Sequence, residues 1–235
     1  EEKISWDYGV PAEDLIAVGE PFTARGSRWD PGAEDITLTL TVTDVEICDS
    51  ISGFPQENFE DYERLQKGLN EDGTLKPYKR FVGEIQEDFS VEEVAREEAM
   101  QKFVKVSIHA ENPTDEAGEL WVAEAQLKYL KQKENGDYAY STTYTEPLNV
   151  DERLMADLGW PIYFDRTHGS NEYGKGFYRY EMQPKETLDY TLIYLVDEDR
   201  LDEVIIDAGG SYTTGFGTGY DPQTKEFVRN YIDLG

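Results

Sequence analysis

Apolar and polar residues alternate strictly along Phe103-Val-Lys-Val-Ser-Ile-His-Ala110, with Val104, Val106, Ile108 and Ala110 on one face and Lys105, Ser107 and His109 on the other. Successive side chains of a strand point to opposite faces, so this stretch predicts a half-buried strand. Asn112-Pro113 ends it, because proline has no N–H to donate. Ile36 to Val42 repeats the pattern with threonines outward. Val45 and Ile47 then take the opposite parity, which predicts a β-bulge at Asp44. From Leu188 to Val196 both parities become apolar, as a central strand requires. Leu120 to Leu130 reads as strand with a bulge near Ala123, and Val204-Ile-Ile206 as another. Asn135-Gly136 is a hairpin signal, with Tyr138 to Tyr144 as the returning strand. Asp221-Pro-Gln-Thr224 is expected to turn the chain into a last strand at 227–234.

Residues 57–100 interrupt the two-residue period. Phe59, Tyr62, Leu65 and Leu69 have helical spacing and predict about three helical turns. Ser90-Val-Glu-Glu93 has the spacing of a capping box, so a second short helix is expected through about Met100, with 75–85 extended between the two. Residues 1–35 read as an extended tail with an edge strand, and 36–235 as one all-β, antiparallel sandwich carrying a short helical insertion at about 57–100.

Charge narrows the partners. The 235 residues carry 22 Lys and Arg against 50 Asp and Glu, a net charge of −28. Such a field disfavours DNA, RNA and anionic lipid surfaces, and leaves calcium, cationic ligands and basic partners open. Cys48 is the lone cysteine, so no intrachain disulfide and no cysteine zinc site can form. No run approaches the ~18 apolar residues of a membrane helix. The opening Glu1-Glu-Lys-Ile, without methionine, fits a mature chain whose leader, or lipid-anchored cysteine, preceded residue 1.

Three segments carry a resemblance: the strand running into Asn112-Pro-Thr-Asp115, the turn Gln183-Pro-Lys-Glu-Thr187 opening a long strand, and Leu195-Val-Asp-Glu-Asp-Arg-Leu-Asp-Glu-Val-Ile-Ile206. Together they resemble the secreted, often lipid-anchored, immunoglobulin-like (telokin-like) extracellular proteins of Gram-positive bacteria, many of unknown function. Lys185 stands where that family's turn has glycine. The resemblance covers roughly 103–207 and the strand at 36–47. It implies an immunoglobulin-like two-sheet sandwich, export and a cell-surface location, and supplies no catalytic residues.

Candidate chemistry is sparse. Asn70-Glu-Asp-Gly-Thr74 looks like the middle of a calcium loop, but Gly68 and Lys79 would occupy its first and twelfth ligand positions; an Asx turn is the competing reading. Asp197, Asp199 and Asp202 could gather on a cation, or form a solvated charge run. His109 and His168 are the two histidines, and neither belongs to a catalytic motif. Aromatic residues offer the better lead: Tyr138, Tyr140, Tyr144, Trp160, Tyr163, Tyr173, Tyr178 and Tyr180. Exposed rings anchor sugars, peptides and protein partners; core packing is the alternative use. The expectation is a non-enzymatic, exported surface module that binds a protein, peptide or glycan or joins an envelope assembly, without an obligatory cofactor. The competing expectation is a hydrolase with two carboxylates in a cleft between insertion and sandwich.

Overall fold

In the computed structural model, described for residues 9–26, 28, 33–122, 125–149, 159–166, 179–207, 218–220 and 227–234, the longest ladder joins the alternating strand to the doubly apolar one. Numbered in chain order, β14 (Thr187–Asp197) pairs with β7 (Gln101–Glu111) along its whole length, from Thr187 opposite Glu111 to Asp197 opposite Gln101. β4 (Ile36–Cys48) lies on the other side of β7, and its register shifts between Val42 and Asp44. The extra residue is Thr43, whose hydroxyl donates to the Ser107 carbonyl. The parity switch seen in the sequence is thus a β-bulge. β3 (Pro21–Gly26) and β12 (Tyr163–Phe164) complete a five-stranded sheet ordered β12-β14-β7-β4-β3.

The opposing sheet has six strands. β9 (Gln126–Gln132) and β15 (Val204–Asp207) form its centre, flanked by β10 (Tyr138–Tyr140) and β1 (Gly9–Val10) on one side and β18 (Tyr231–Asp233) and β2 (Leu15–Ile16) on the other. Among the described pairs, β18 with β2 is parallel and the rest antiparallel. Leu38, Leu40, Val106, Ile108, Leu192 and Tyr194 from the first sheet meet Leu127, Val204, Ile206 and Ile232 from the second in one core, which makes the molecule an all-β sandwich. A two-stranded ribbon, β8 (Gly118–Trp121) with β13 (Arg179–Met182), adds Leu120 and Met182 to that core. A second ribbon pairs β16 (Thr218–Tyr220) with β17 (Phe227–Arg229). Residues 9–26 therefore serve both sheets, and the expected last strand is split at Asn230, whose side-chain amide donates to the Thr23 carbonyl.

The apolar outer parity of β14 has its own cover. Ile193 and Leu195 pack with Phe103, Ile51, Phe59, Leu65, Leu69, Leu75 and Tyr163 in a second core. α1 (Tyr62–Lys67), capped where the Asp61 carboxylate accepts from the Arg64 N–H, carries Leu65 into it. The helix is shorter than its periodic residues suggested, since Phe59 follows a 3-10 turn and Leu69 already bridges to Leu75.

The second helix is absent: β5 (Tyr78–Ile85) and β6 (Val91–Ala99) form a hairpin instead, joined by β11 (Thr143–Pro147) into a three-stranded sheet. Ser90 is no helix cap; its N–H and hydroxyl both donate to Asp88. Val91-Glu-Glu-Val-Ala has helical spacing, but pairing with β5 decides the outcome, as tertiary context overrides propensity. The expected strand 138–144 is likewise divided between β10 and β11, which lie in different sheets.

One loop form recurs. At 70–74, 86–90 and 133–137 the first residue donates its N–H to the fifth carbonyl and accepts from the fourth N–H, and the fourth residue, Gly73, Phe89 or Gly136, has positive φ. This is a three-residue hairpin loop with a left-handed closing residue. Asp72 accepts from Thr74 in the first of them, so the Asn70–Thr74 segment is an Asx-braced hairpin. Lys185, at φ 61° after Pro184, keeps the glycine conformation of a type II turn, and its ammonium donates to the Pro113 carbonyl.

Two core tyrosines on β14 make a test of buried-polar accounting. Tyr194 donates to the Ala125 carbonyl at 3.0 Å, whereas the Tyr190 hydroxyl is buried without a hydrogen-bond partner. Leaving such a group unmatched costs about 1–3 kcal/mol. Tyr190→Phe is expected to leave stability unchanged or raise it by ~1 kcal/mol, and Tyr194→Phe to lower it by ~1 kcal/mol, in urea unfolding.

Candidate functional site

The chain's jump from one sheet to another at Ser141-Thr142 opens a cleft. β10 stays with β9, β11 departs to β5, and the gap is closed by the end of β14 and a 3-10 turn over Glu198–Glu203. The resulting cavity, of about 300 Å³, is lined by Gln101, Tyr129, Thr143, Tyr144, Asp197 and Arg200 among others. It lies between the inserted sheet and the sandwich. At Gly159 a Cβ would fall 2.2 Å from the Leu127 carbonyl oxygen, and the Leu127 N–H donates to the Gly159 carbonyl at 2.7 Å. Backbone lies directly on backbone there, which only glycine permits.

Arg80 organises the wall. It projects from β5 beside Tyr78, is 4% exposed, and reaches Asp197 at 2.7 Å, Asp199 at 2.6 Å and, through Nε, Glu97 at 2.9 Å. The Tyr78 hydroxyl donates to the other Asp197 oxygen at 2.6 Å. Burial alone would weaken the guanidinium's hold on its proton, but the hydrogen bonds it donates to Asp199 and Glu97, with the charge and hydrogen bond of Asp197, outweigh it and raise the Arg80 pKa. The Arg80 hydrogen bond also lowers the Asp199 pKa. Burial, then the Asp197 charge, pushes the Tyr78 hydroxyl up. All three therefore hold their ordinary neutral-pH charge states more firmly.

Arg200, on the cleft lining itself, is also buried, at 6% exposure. Its guanidinium lies 3.7 Å from the Tyr129 ring centroid, a cation–π stack. Nε meets Glu203 at 3.2 Å and one terminal nitrogen approaches the Thr143 carbonyl at 3.4 Å. The other, Nη2, is buried with no hydrogen-bond partner, and so is Oε1 of Gln101. Burial, followed by the Asp197 charge, lifts the Tyr129 hydroxyl to about 12. Arg200 Nη2 and Gln101 Oε1 are shut away from solvent on residues that line the cleft elsewhere.

Of the residues singled out in the sequence, Asp197 lines this cleft and Asp199 joins it at Arg80, while Asp202 is exposed. The first two converge on a guanidinium, and among the described residues no three His, Cys, Asp or Glu side chains gather as a metal site would require. Tyr140 lines the cleft and donates to Asp207 at 2.9 Å. Tyr138 packs on the outer face of the six-stranded sheet against Val10 and Leu130. Trp160 is exposed at 46%, next in sequence to Gly159 at the rim. Tyr163 is corrected: at 3% exposure its ring packs edge-to-face with Phe59 and Phe54, so packing consumes the surface a ligand would need. Tyr173, Tyr178 and His168 lie outside the described residues, as do the turn at 221–224 and the bulge expected at Ala123. Arg80, Gln101, Tyr129 and Arg200 were not singled out. A charge at the same parity as buried Tyr78 was the available signal for Arg80.

His109, on the outer face of the five-stranded sheet, bonds through Nδ1 to Asp189 directly across the ladder at 2.6 Å and approaches Glu111 through Nε2 at 3.3 Å. The Asp189 hydrogen bond, aided by both carboxylate charges, raises its pKa.

The chain matches no protein-family model, no curated protein and no solved structure.

Two measurements follow from this geometry. Removing one partner of a buried ion pair strands the other, so Arg80→Met and Asp197→Leu are each expected to destabilise by about 3–5 kcal/mol, and the double variant by less than their sum, in chemical unfolding. For His109 the folded pKa lies above the unfolded ~6.5; its contribution to stability is therefore full below that value and lost as pH rises through the folded pKa. NMR titration should find the imidazole above 6.5 and Asp189→Asn should lower it.

Proposed function

We propose that the protein is a non-catalytic binding module, exported and held at the cell surface as the resembled immunoglobulin-like extracellular family would have it, and that its ligand enters the cleft beside Arg200. The observation that carries this reading is the concave cleft of about 300 Å³, walled by Tyr129, Tyr140 and Tyr144 with Gln101 and Arg200 among its lining. Concave sites with a few convergent polar groups and aromatic walls are where small ligands bind. Exposed Trp160 beside the rim adds an anchor for whatever extends from the cleft. An envelope-assembly role is the same reading with a partner's protruding group as the ligand.

Hydrolysis by paired carboxylates fits less well. Asp197 is the carboxylate among the described lining residues, and its two oxygens are already engaged by Tyr78 and Arg80. A glycosidase-type mechanism needs two acids flanking the scissile bond.

Melting curves with panels of soluble glycans and peptides, each followed by mass analysis of the ligand, test the reading. A ligand that binds the folded state alone raises the melting temperature. An upward shift with the ligand recovered intact is expected; cleaved ligand would overturn the non-catalytic assignment.

A further inference from the structure

Resting on the cleft as the ligand site, we infer that its ligand is a carboxylate on a small apolar body, whose charge pairs with Lys128. The placement of Lys128 gives the first argument. On β9 the Leu127 N–H donates to the Gly159 carbonyl and the Tyr129 carbonyl accepts from the Ser141 N–H, so both residues turn their peptide groups to the edge that β10 leaves. Successive residues of a strand turn those groups to opposite sides. The peptide groups of Lys128 therefore face β15, and its side chain is what meets the cavity it lines. That side chain stands opposite Ile205, on the sheet face shared with Leu130 and Tyr140.

Charge gives the second. Among the described lining residues Lys128 and Arg200 are the cations and Asp197 is the carboxylate. Arg200 is answered by Glu203, and the two oxygens of Asp197 are held by Tyr78 and Arg80. Lys128 is half-buried and has neither hydrogen bond nor ion pair among the described residues. Asp207, whose charge reaches it, accepts instead from the Tyr140 hydroxyl at 2.9 Å. Burial accordingly holds the Lys128 pKa below its ordinary value, against the pull of Asp207. A partly desolvated ammonium without a partner is costly, and an arriving anion removes that cost. The net charge of −28 is screened beyond about 8 Å at physiological ionic strength, so the groups on the wall decide. A cationic ligand would meet Lys128 and find the one described lining carboxylate already engaged. The rest of the wall gives the third argument. Ile85, Leu127, Leu195 and the rings of Tyr129 and Tyr144 offer apolar surface around about 300 Å³, room for one ring or a short acyl chain. A phosphate would bring up to two charges and three acceptor oxygens, more than one ammonium can meet; a carboxylate brings one charge.

The test is titration calorimetry of the intact protein with benzoate, phenylacetate and hexanoate against their primary amides, and with short peptides ending in an apolar residue, free or amidated at the C-terminus. At least one carboxylate is expected to bind, with its amide at least tenfold weaker. Binding confined to the free acids assigns a small molecule, binding confined to the free-ended peptides assigns a chain terminus, and either supports the inference. Lys128→Met removes the charge and keeps most of the stem: affinity should fall at least tenfold while the melting temperature stays level or rises. Tyr144→Ala, which alters the wall and not the charge, should also weaken binding. Acids and amides bound alike, with affinity lost in Tyr144→Ala, would overturn the carboxylate and keep the cleft. Carboxylate binding untouched by Lys128→Met would overturn the pairing, and if untouched by Tyr144→Ala as well, the cleft too. No binding by these probes would overturn the inference, and the cleft would stand only if a glycan bound in a Tyr144-dependent way.

Discussion

The guanidinium of Arg80 ties three separately ordered parts of the chain: the β5 hairpin that carries it, the end of β14 that supplies Asp197, and the 3-10 turn that supplies Asp199. Exposed ion pairs contribute little, but here Arg80 and Asp197 are both almost wholly withdrawn from solvent. Each is tolerable only with the other in place. The constraint fixes how far the three-stranded sheet stands from the sandwich, and with it the width of the cleft. Arg200, one turn onward, takes its position on Tyr129 from the same anchored segment.

β14 imposes the complementary requirement. Its inner face belongs to the main core and its outer face, from Ile193 to Leu195, to the second. A sandwich with a wet outer surface would leave those residues exposed. The inserted segment from Ile51 to Leu75 answers this, so it is a structural cover for the penultimate strand as well as a bridge to the cleft-forming hairpin. The second hairpin strand, β6, is left at an edge, where Glu92, Glu93, Glu97 and Glu98 discourage further pairing.

Local periodicity announced whatever depended on burial of one face. The bulge at Thr43, the alternation of β7 and the double burial of β14 were legible because water and core sort residues by parity. β6 was not, since an almost wholly exposed strand has no such sorting, and its Val-x-x-Val spacing and run of Ala and Glu imitate a helix. The cleft was hidden for another reason. Asp197 and Arg80 are 117 residues apart, and no local pattern distinguishes a carboxylate that will meet a buried arginine from one in a solvated run. Tyr163 misled for the same cause: an aromatic in an irregular segment gives no sign of which rings will surround it.

Gly159 sets an asymmetry in how this site can diverge. Its contact with Leu127 is between main chains, with no side chain whose size could be exchanged. Gln101, Tyr144 and Arg200 also line the cleft, and they do so with side chains that can be exchanged. Sequence drift can therefore recolour those side chains, altering which groups a visitor is offered, while the main-chain contact at Gly159 admits no gradual change. Descendants of this chain would inherit one fixed edge to the pocket and a freely varying taste.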